Sequence, residues 1–250
     1  MIERSTLGES RLLRMSHGKA SAFDLEFLGA LDAELEAAGR DRVRALVLTG
    51  TGTIFSAGVD LVRLRDGGND YLRAFLPALH SVFERLFFFS RPTVAAVNGH
   101  AIAGGGVLAL ACDRRLMSRG TTRIGLPELK VGVPFPTLVL EIVRATLAPP
   151  VAQQVILAGA TFDPEQALAN GLVNEVMEPE QLLARASEAA AELASLPAQS
   201  YALTKGCLRR PVREVLSAHG AGDDRATLAA WESAEVRDAV REYVARTLRR

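Results

Sequence analysis

The sequence predicts an α/β fold with a helical C-terminal region. Strand-like apolar segments alternate with helical segments over the first two-thirds of the chain. From Pro179 onward the pattern is helical to the end. The 250 residues, 48% of them hydrophobic, suffice for a substantial core in one large domain, or in a core domain with a smaller appendage.

Residues 1–18 read as two short strands with a turn at Gly8-Glu9. Asp24 is placed to cap a helix whose apolar positions are Leu25, Leu28, Leu31 and Leu35, ending near Gly39. Residues 44–50 form a buried strand ending in a glycine turn, and residues 54–61 a strand end and tight turn. A helix is expected over 70–89, with Phe75, Leu76, Leu79, Val82, Phe83 and Leu86 on one side. Residues 92–97 make the next core strand, and an apolar helix follows from about Gly104 to Ala111. A strand at 115–118, a loop with a short extended piece at 124–129, helices at 137–146, 149–158 and 163–169, and a late strand at 172–176 complete the core. The helical tail is expected to break near Pro197 and between Pro211 and Gly222.

The formal net charge is zero, which argues against a nucleic-acid or membrane-surface partner. No apolar run reaches the length of a membrane span, and the N-terminal residues lack a signal-peptide pattern, so a soluble cytoplasmic protein is expected. The two cysteines, Cys112 and Cys207, suggest neither a disulfide framework nor a metal site, and Cys112 is expected to be buried and inert.

Asn98-Gly99-His100-Ala101-Ile102-Ala103-Gly104-Gly105-Gly106, leading into the apolar run that ends at Cys112-Asp113, carries the chemistry. It reads as a glycine-rich turn between a buried strand and the first turn of a buried helix. Helix N-termini hold backbone N–H groups without intrahelical partners and a partial positive charge. Glycines let another molecule approach that backbone. The result suits a carbonyl oxygen that gains negative charge.

Four segments in this order and spacing resemble the enoyl-CoA hydratase/isomerase (crotonase) superfamily: Phe55-Ser56-Ala57-Gly58-Val59-Asp60-Leu61, Pro92-Thr93-Val94-Ala95-Ala96-Val97-Asn98-Gly99, Ala103-Gly104-Gly105 with Cys112-Asp113, and Gly125-Leu126-Pro127-Glu128. Ala167-Leu168-Ala169-Asn170-Gly171-Leu172-Val173-Asn174-Glu175-Val176 resembles a later segment of the same family. The resemblance implies a crotonase-like spiral of ββα turns over residues 1–195. It assigns residues 196–250 to a helical region for trimerisation and active-site cover. It implies trimers or trimer pairs, acyl-CoA or acyl-carrier thioester substrates, and no cofactor or metal apart from the coenzyme A of the substrate.

Carried over by motif, the backbone N–H groups of Val59 and Gly104 form the oxyanion hole for a thioester enolate, and Ser56, Ala57, Gly58, Asp60, Gly105, Val107 and Pro127 surround the substrate. The family's hydratases use two glutamates on water. Here the first position, three residues beyond Gly104, is Val107, while the second is present as Glu128. An apolar residue at the first site with Glu at the second resembles the single-glutamate enoyl-CoA isomerases. The resemblance therefore implies that Glu128 shuttles a proton from C2 to C4 of a 3-enoyl thioester. Burial among Leu126, Val131, Val133 and Phe135 is expected to raise its pKa toward neutrality. Dienoyl isomerases need a further aspartate where this chain has Val133-Pro134-Phe135-Pro136.

An enoyl-CoA hydratase, a carrier-protein-linked enzyme and a non-catalytic protein of the same fold are the alternatives. Arg63 and Arg65 stand where they could meet CoA phosphates, and serve equally well as solvated surface arginines. The 70–89 helix either lines an acyl pocket or is ordinary core. His100 is expected to bond backbone locally.

Overall fold

The computed structural model describes residues 1–41 and 43–248. Strands β1 (Ile2–Leu7) and β2 (Ser10–Met15) form an antiparallel hairpin, with Gly8 at φ 58° in its turn. Asp24 accepts from the Phe27 N–H and caps α1 (Leu25–Arg40). Three successive strand–strand–helix turns follow. They are β3 (Leu46–Thr49), β4 (Ile54–Ser56) and α2 (Leu61–Phe87); β5 (Thr93–Val97), β6 (His100–Ile102) and α3 (Gly104–Ala111); and β7 (Arg114–Ser118), β8 (Ile124–Gly125) and α4 (Glu128–Val131). Each turn gives one strand to each of two sheets. The larger sheet runs β1-β2-β3-β5-β7 and ends on β10 (Glu175–Met177); the smaller runs β4-β6-β8 and ends on β9 (Thr161–Phe162).

Pairing in the larger sheet is parallel from β2 to β10. Both of its faces are covered. Leu46, Leu48, Ala95 and Val97 face the main core with α1, α2 and α3. Val47, Val94, Ala96 and Leu116 face the opposite way, onto Leu182, Ala186, Ala189 and Ala190 of α8 (Leu182–Ala194). Two-sided burial explains why these strands read as unbroken apolar runs rather than alternating ones. Helix α3 is buried along its whole length, so it is apolar on every side.

Helices α5 (Thr137–Thr146), α6 (Pro149–Leu157) and α7 (Pro164–Ala169) lead back to the sheet through β10. After α8 come α9 (Ala198–Leu208), α10 (Arg210–Val215), α11 (Ala221–Trp231) and α12 (Ala234–Leu248). Asp113, just past α3, ties this region to the core. Its carboxylate accepts from Lys205 Nζ at 2.7 Å, Arg209 Nη2 at 2.7 Å and the Thr93 N–H at 2.9 Å. The Arg209 guanidinium also lies 4.1 Å from the centroid of the Phe87 ring.

The structure revises five expectations. The helix expected over 70–89 begins at Leu61, because the Asp60 carboxylate accepts from the Val62 and Arg63 N–H groups and caps it. It is interrupted where Gly68 takes φ 64°, which is the signal that hid its first segment. The turn expected after Gly99 contains β6, and the loop after Pro127 contains α4. The late strand lies at Glu175–Met177 rather than 172–176. Between Pro211 and Gly222 the chain stays helical: Pro211 sits in the first turn of α10, where its missing N–H costs nothing, and a π-helical turn at Leu216–Gly220 continues into α11. The break falls instead at Glu232 and Ser233, between α11 and α12.

Candidate active site

Two backbone segments meet beside the N-terminus of α3. The first is Ala57–Gly58–Val59, after β4. Phe23 pairs with Val59 as a parallel bridge: its N–H donates to Gly58 O at 2.7 Å and its carbonyl accepts from the Asp60 N–H at 3.0 Å. A parallel bridge of this kind consumes the groups on either side of Val59 and turns the Val59 N–H away. The second segment is Ala103–Gly104. Ala103 holds φ 53°, a strained value for a residue with a Cβ, and its N–H donates to Gly125 O at 2.9 Å. That conformation starts α3 and leaves the Gly104 N–H in its first turn. Among the described residues, neither the Val59 N–H nor the Gly104 N–H has an acceptor.

The closeness of the two segments is measured by what their glycines exclude. A Cβ on Gly58 (φ 77°) would stand 2.6 Å from Gly104 N, and one on Gly104 would stand 2.7 Å from the Phe23 ring. Gly105 packs in the same way behind them, where a Cβ would meet Ser56 O at 2.2 Å. Ser56 is fully buried; its hydroxyl donates to Ser21 O at 2.7 Å and accepts from the Gly58 N–H at 3.1 Å.

Both segments open onto a cavity of about 490 Å³. Ala57, Val59, Gly104, Val107, Pro127 and Glu128 are on its wall, whereas Ser56, Gly58, Gly105 and Asp60 are not. Those four shape the backbone from behind. The rest of the wall is mostly apolar: Leu76, Leu79 and Phe83 from α2, Val131 from α4, Val133 and Phe135 from the following loop, Val139 from α5. Phe75, on the same helix, is wholly buried in the core instead. The sequence gives no local sign that Trp231 and Tyr243, from α11 and α12, close the same cavity. Trp231 is held there by its Nε1–H donating to Pro134 O at 3.1 Å.

Among the described residues, Glu128 is the one carboxylate on this wall. Its Oε2 is shut off from solvent and has no hydrogen-bond partner. Burial against apolar neighbours pushes its pKa up to about 8, from a usual 4.5. Val107, one turn into α3, presents only a hydrocarbon surface. His100 lines the cavity too; its Nδ1 accepts from the N–H of Arg123, the residue before β8, at 3.2 Å.

Arg63 pairs with Glu26 at 2.6 Å and Arg65 with Asp66 at 2.7 Å, both at the exposed surface. Cys112 is buried, with its thiol pushed up to about 12. Among the described residues no three His, Cys, Asp or Glu side chains converge as metal ligands, and no helix is long and apolar enough to cross a membrane.

The family model for enoyl-CoA hydratase/isomerase matches residues 12–248. The chain belongs to the enoyl-CoA hydratase/isomerase family. A putative enoyl-CoA hydratase of Thermus thermophilus is 39% identical over 219 residues, covering 86% of this chain and 81% of that protein. Rat mitochondrial enoyl-CoA delta isomerase 1 is 28% identical over 219 residues, covering 86% and 76%. Among solved structures, human mitochondrial delta3-delta2-enoyl-CoA isomerase superposes with a TM-score of 0.94 at 25% identity, over 99% of this chain and 98% of that one. This family member therefore has the crotonase fold, including the helical C-terminal region, and its relatives carry both hydratase and isomerase names.

Proposed function

We propose that this enzyme isomerises 3-enoyl thioesters to trans-2-enoyl thioesters. The observation that carries the reading is a lone carboxylate, Glu128, on an apolar wall that it shares with two unpartnered backbone N–H groups. With the thioester oxygen between the Val59 and Gly104 N–H groups, Glu128 takes a proton from C2. The C2–H electron pair delocalises through the carbonyl, giving a dienolate whose oxygen charge the two amides meet with little reorganisation. The same carboxyl then protonates C4, the double bond settles between C2 and C3, and Glu128 returns to its ionised form. No atom is gained or lost.

A group that must accept and then return one proton works best with a pKa near the ambient pH. The elevated value of Glu128 suits that double task. Hydration asks more of the site, since a water must be held and deprotonated at the opposite carbon. Val107, at the place of the first hydratase glutamate, offers no hydrogen bond. Hydrocarbon there keeps water from the dienolate.

Assay of 3-enoyl-CoA and 2-enoyl-CoA side by side tests the reading. Isomerisation is expected to outpace hydration by orders of magnitude. Hydration as the faster reaction would favour the hydratase alternative, and preference for a pantetheine or carrier-protein thioester the biosynthetic one. No turnover of either, with no CoA-induced rise in melting temperature, would favour a non-catalytic protein.

A further inference from the structure

A second space adjoins the cavity at α2. A cleft of about 420 Å³ lies on the far side of Leu76 and Pro136, and these two residues line both spaces. Leu76 and Pro136 are each half-buried, as befits side chains standing between two openings. The cleft's apolar lining includes Leu76, Pro77, Pro136 and Leu228, and its polar lining includes Arg73 and Arg225. Its walls are tied together: Asp224, on α11, accepts from both the Thr137 N–H at 3.1 Å and the Thr137 hydroxyl at 2.9 Å, which fixes the start of α5 against α11.

We infer that the cleft beyond Leu76 receives the distal part of a long acyl chain, so that the substrates of this site extend to long-chain enoyl thioesters. The inference rests on the thioester reading of the cavity proposed above. The Glu128 carboxylate and the two free amides place the thioester end of the ligand at one side of the cavity. Leu76 of α2 and Pro136, before α5, are the residues that the cavity and the cleft share. An alkyl chain that passes Leu76 and Pro136 meets Pro77 and Leu228 in the cleft, and each methylene taken out of water there is worth about fourfold in binding.

Binding of saturated acyl-CoAs reads this without turnover. Isothermal titration calorimetry measures the affinities, a readout that an added tryptophan leaves unaltered. Affinity is expected to keep rising as the acyl group lengthens from six to fourteen carbons. In Leu228→Trp, which fills the cleft but lies outside the cavity wall, the ratio of fourteen-carbon to six-carbon affinity is expected to fall at least about tenfold. Thr227→Trp obstructs the same space from another position and should give the same change of ratio if Leu228→Trp does not fold. A wild-type affinity that stops rising at six to eight carbons, or a ratio unmoved by an obstructing variant that folds, overturns the inference. Absence of isomerase activity, with chain-length-dependent binding intact, would instead count against the proposed reaction alone.

Discussion

At the scale of single residues, Glu128 and Val107 decide the chemistry. Glu128 carries two pH signatures. Its ionised form accepts the C2 proton, so kcat/KM for isomerisation is expected to rise with pH and level off above about 8. Its effect on stability has the opposite sign. In the unfolded chain the carboxyl titrates near 4.5 and in the folded protein near 8, so between these values the folded protein retains a proton that the unfolded chain releases. Folding stability therefore falls as pH rises through that window. Glu128→Gln does not titrate. Its melting temperature should match wild type at the acid end and exceed it increasingly toward pH 8, as scanning calorimetry across pH would measure; parallel curves at every pH would contradict the burial of an ionisable carboxyl. Val107→Glu puts a second acid on the wall facing the same space. Hydration of 2-enoyl-CoA should appear in that variant, at some loss of stability from placing a carboxyl in hydrocarbon; product analysis on 2-enoyl-CoA reads it.

At the scale of elements, the site is a pair of turns held by glycine. Gly58 sits at φ 77° with no room for a Cβ beside Gly104 N. Gly58→Ala should push the two amide-bearing segments apart and lower kcat/KM by at least about tenfold, since one backbone donor of this kind is worth about 3 kcal/mol of barrier. An alanine variant with wild-type kinetics would mean that the amides do not act together.

Much of this was legible in the chain. The apolar helix from Gly104 to Ala111 and the strands around 46–49 and 93–97 declare themselves because full burial demands hydrocarbon on every side. The Gly-rich turns mark where backbones approach. What escaped were contacts between distant segments. Strands β6 and β9 have three and two residues, and pairing with distant partners, not local composition, makes them strands. Ser56 has the look of a substrate-facing residue beside a turn, yet its hydroxyl is used up in bracing that turn. Trp231 and Tyr243 reach the cavity only because the last two helices fold back over α2 and α4, which no local spacing announces.

At the scale of the whole molecule, Asp113 joins the spiral core to the C-terminal helices. Lys205 and Arg209 are both nearly buried, and their charges converge on this one carboxylate. Asp113→Ala would strand two cations, and a loss of about 3–5 kcal/mol is expected by chemical denaturation. A change below about 1 kcal/mol would mean that the clasp contributes little. The outer side of α9 leaves Leu203 and Leu208 exposed, at 64% and 77%, near Leu196 at 49%. We propose that the trimer implied by the family resemblance covers leucines of this region. Sedimentation equilibrium should then give about three times 26.8 kDa, or twice that for paired trimers, and a monomer mass would contradict it.

The most direct test of the proton relay is isomerase turnover of 3-enoyl-CoA by Glu128→Gln, with Trp231 fluorescence verifying that ligand still binds. Loss of about 100- to 10,000-fold in kcat with binding retained is the predicted result. Wild-type turnover by this variant would contradict the account at its centre.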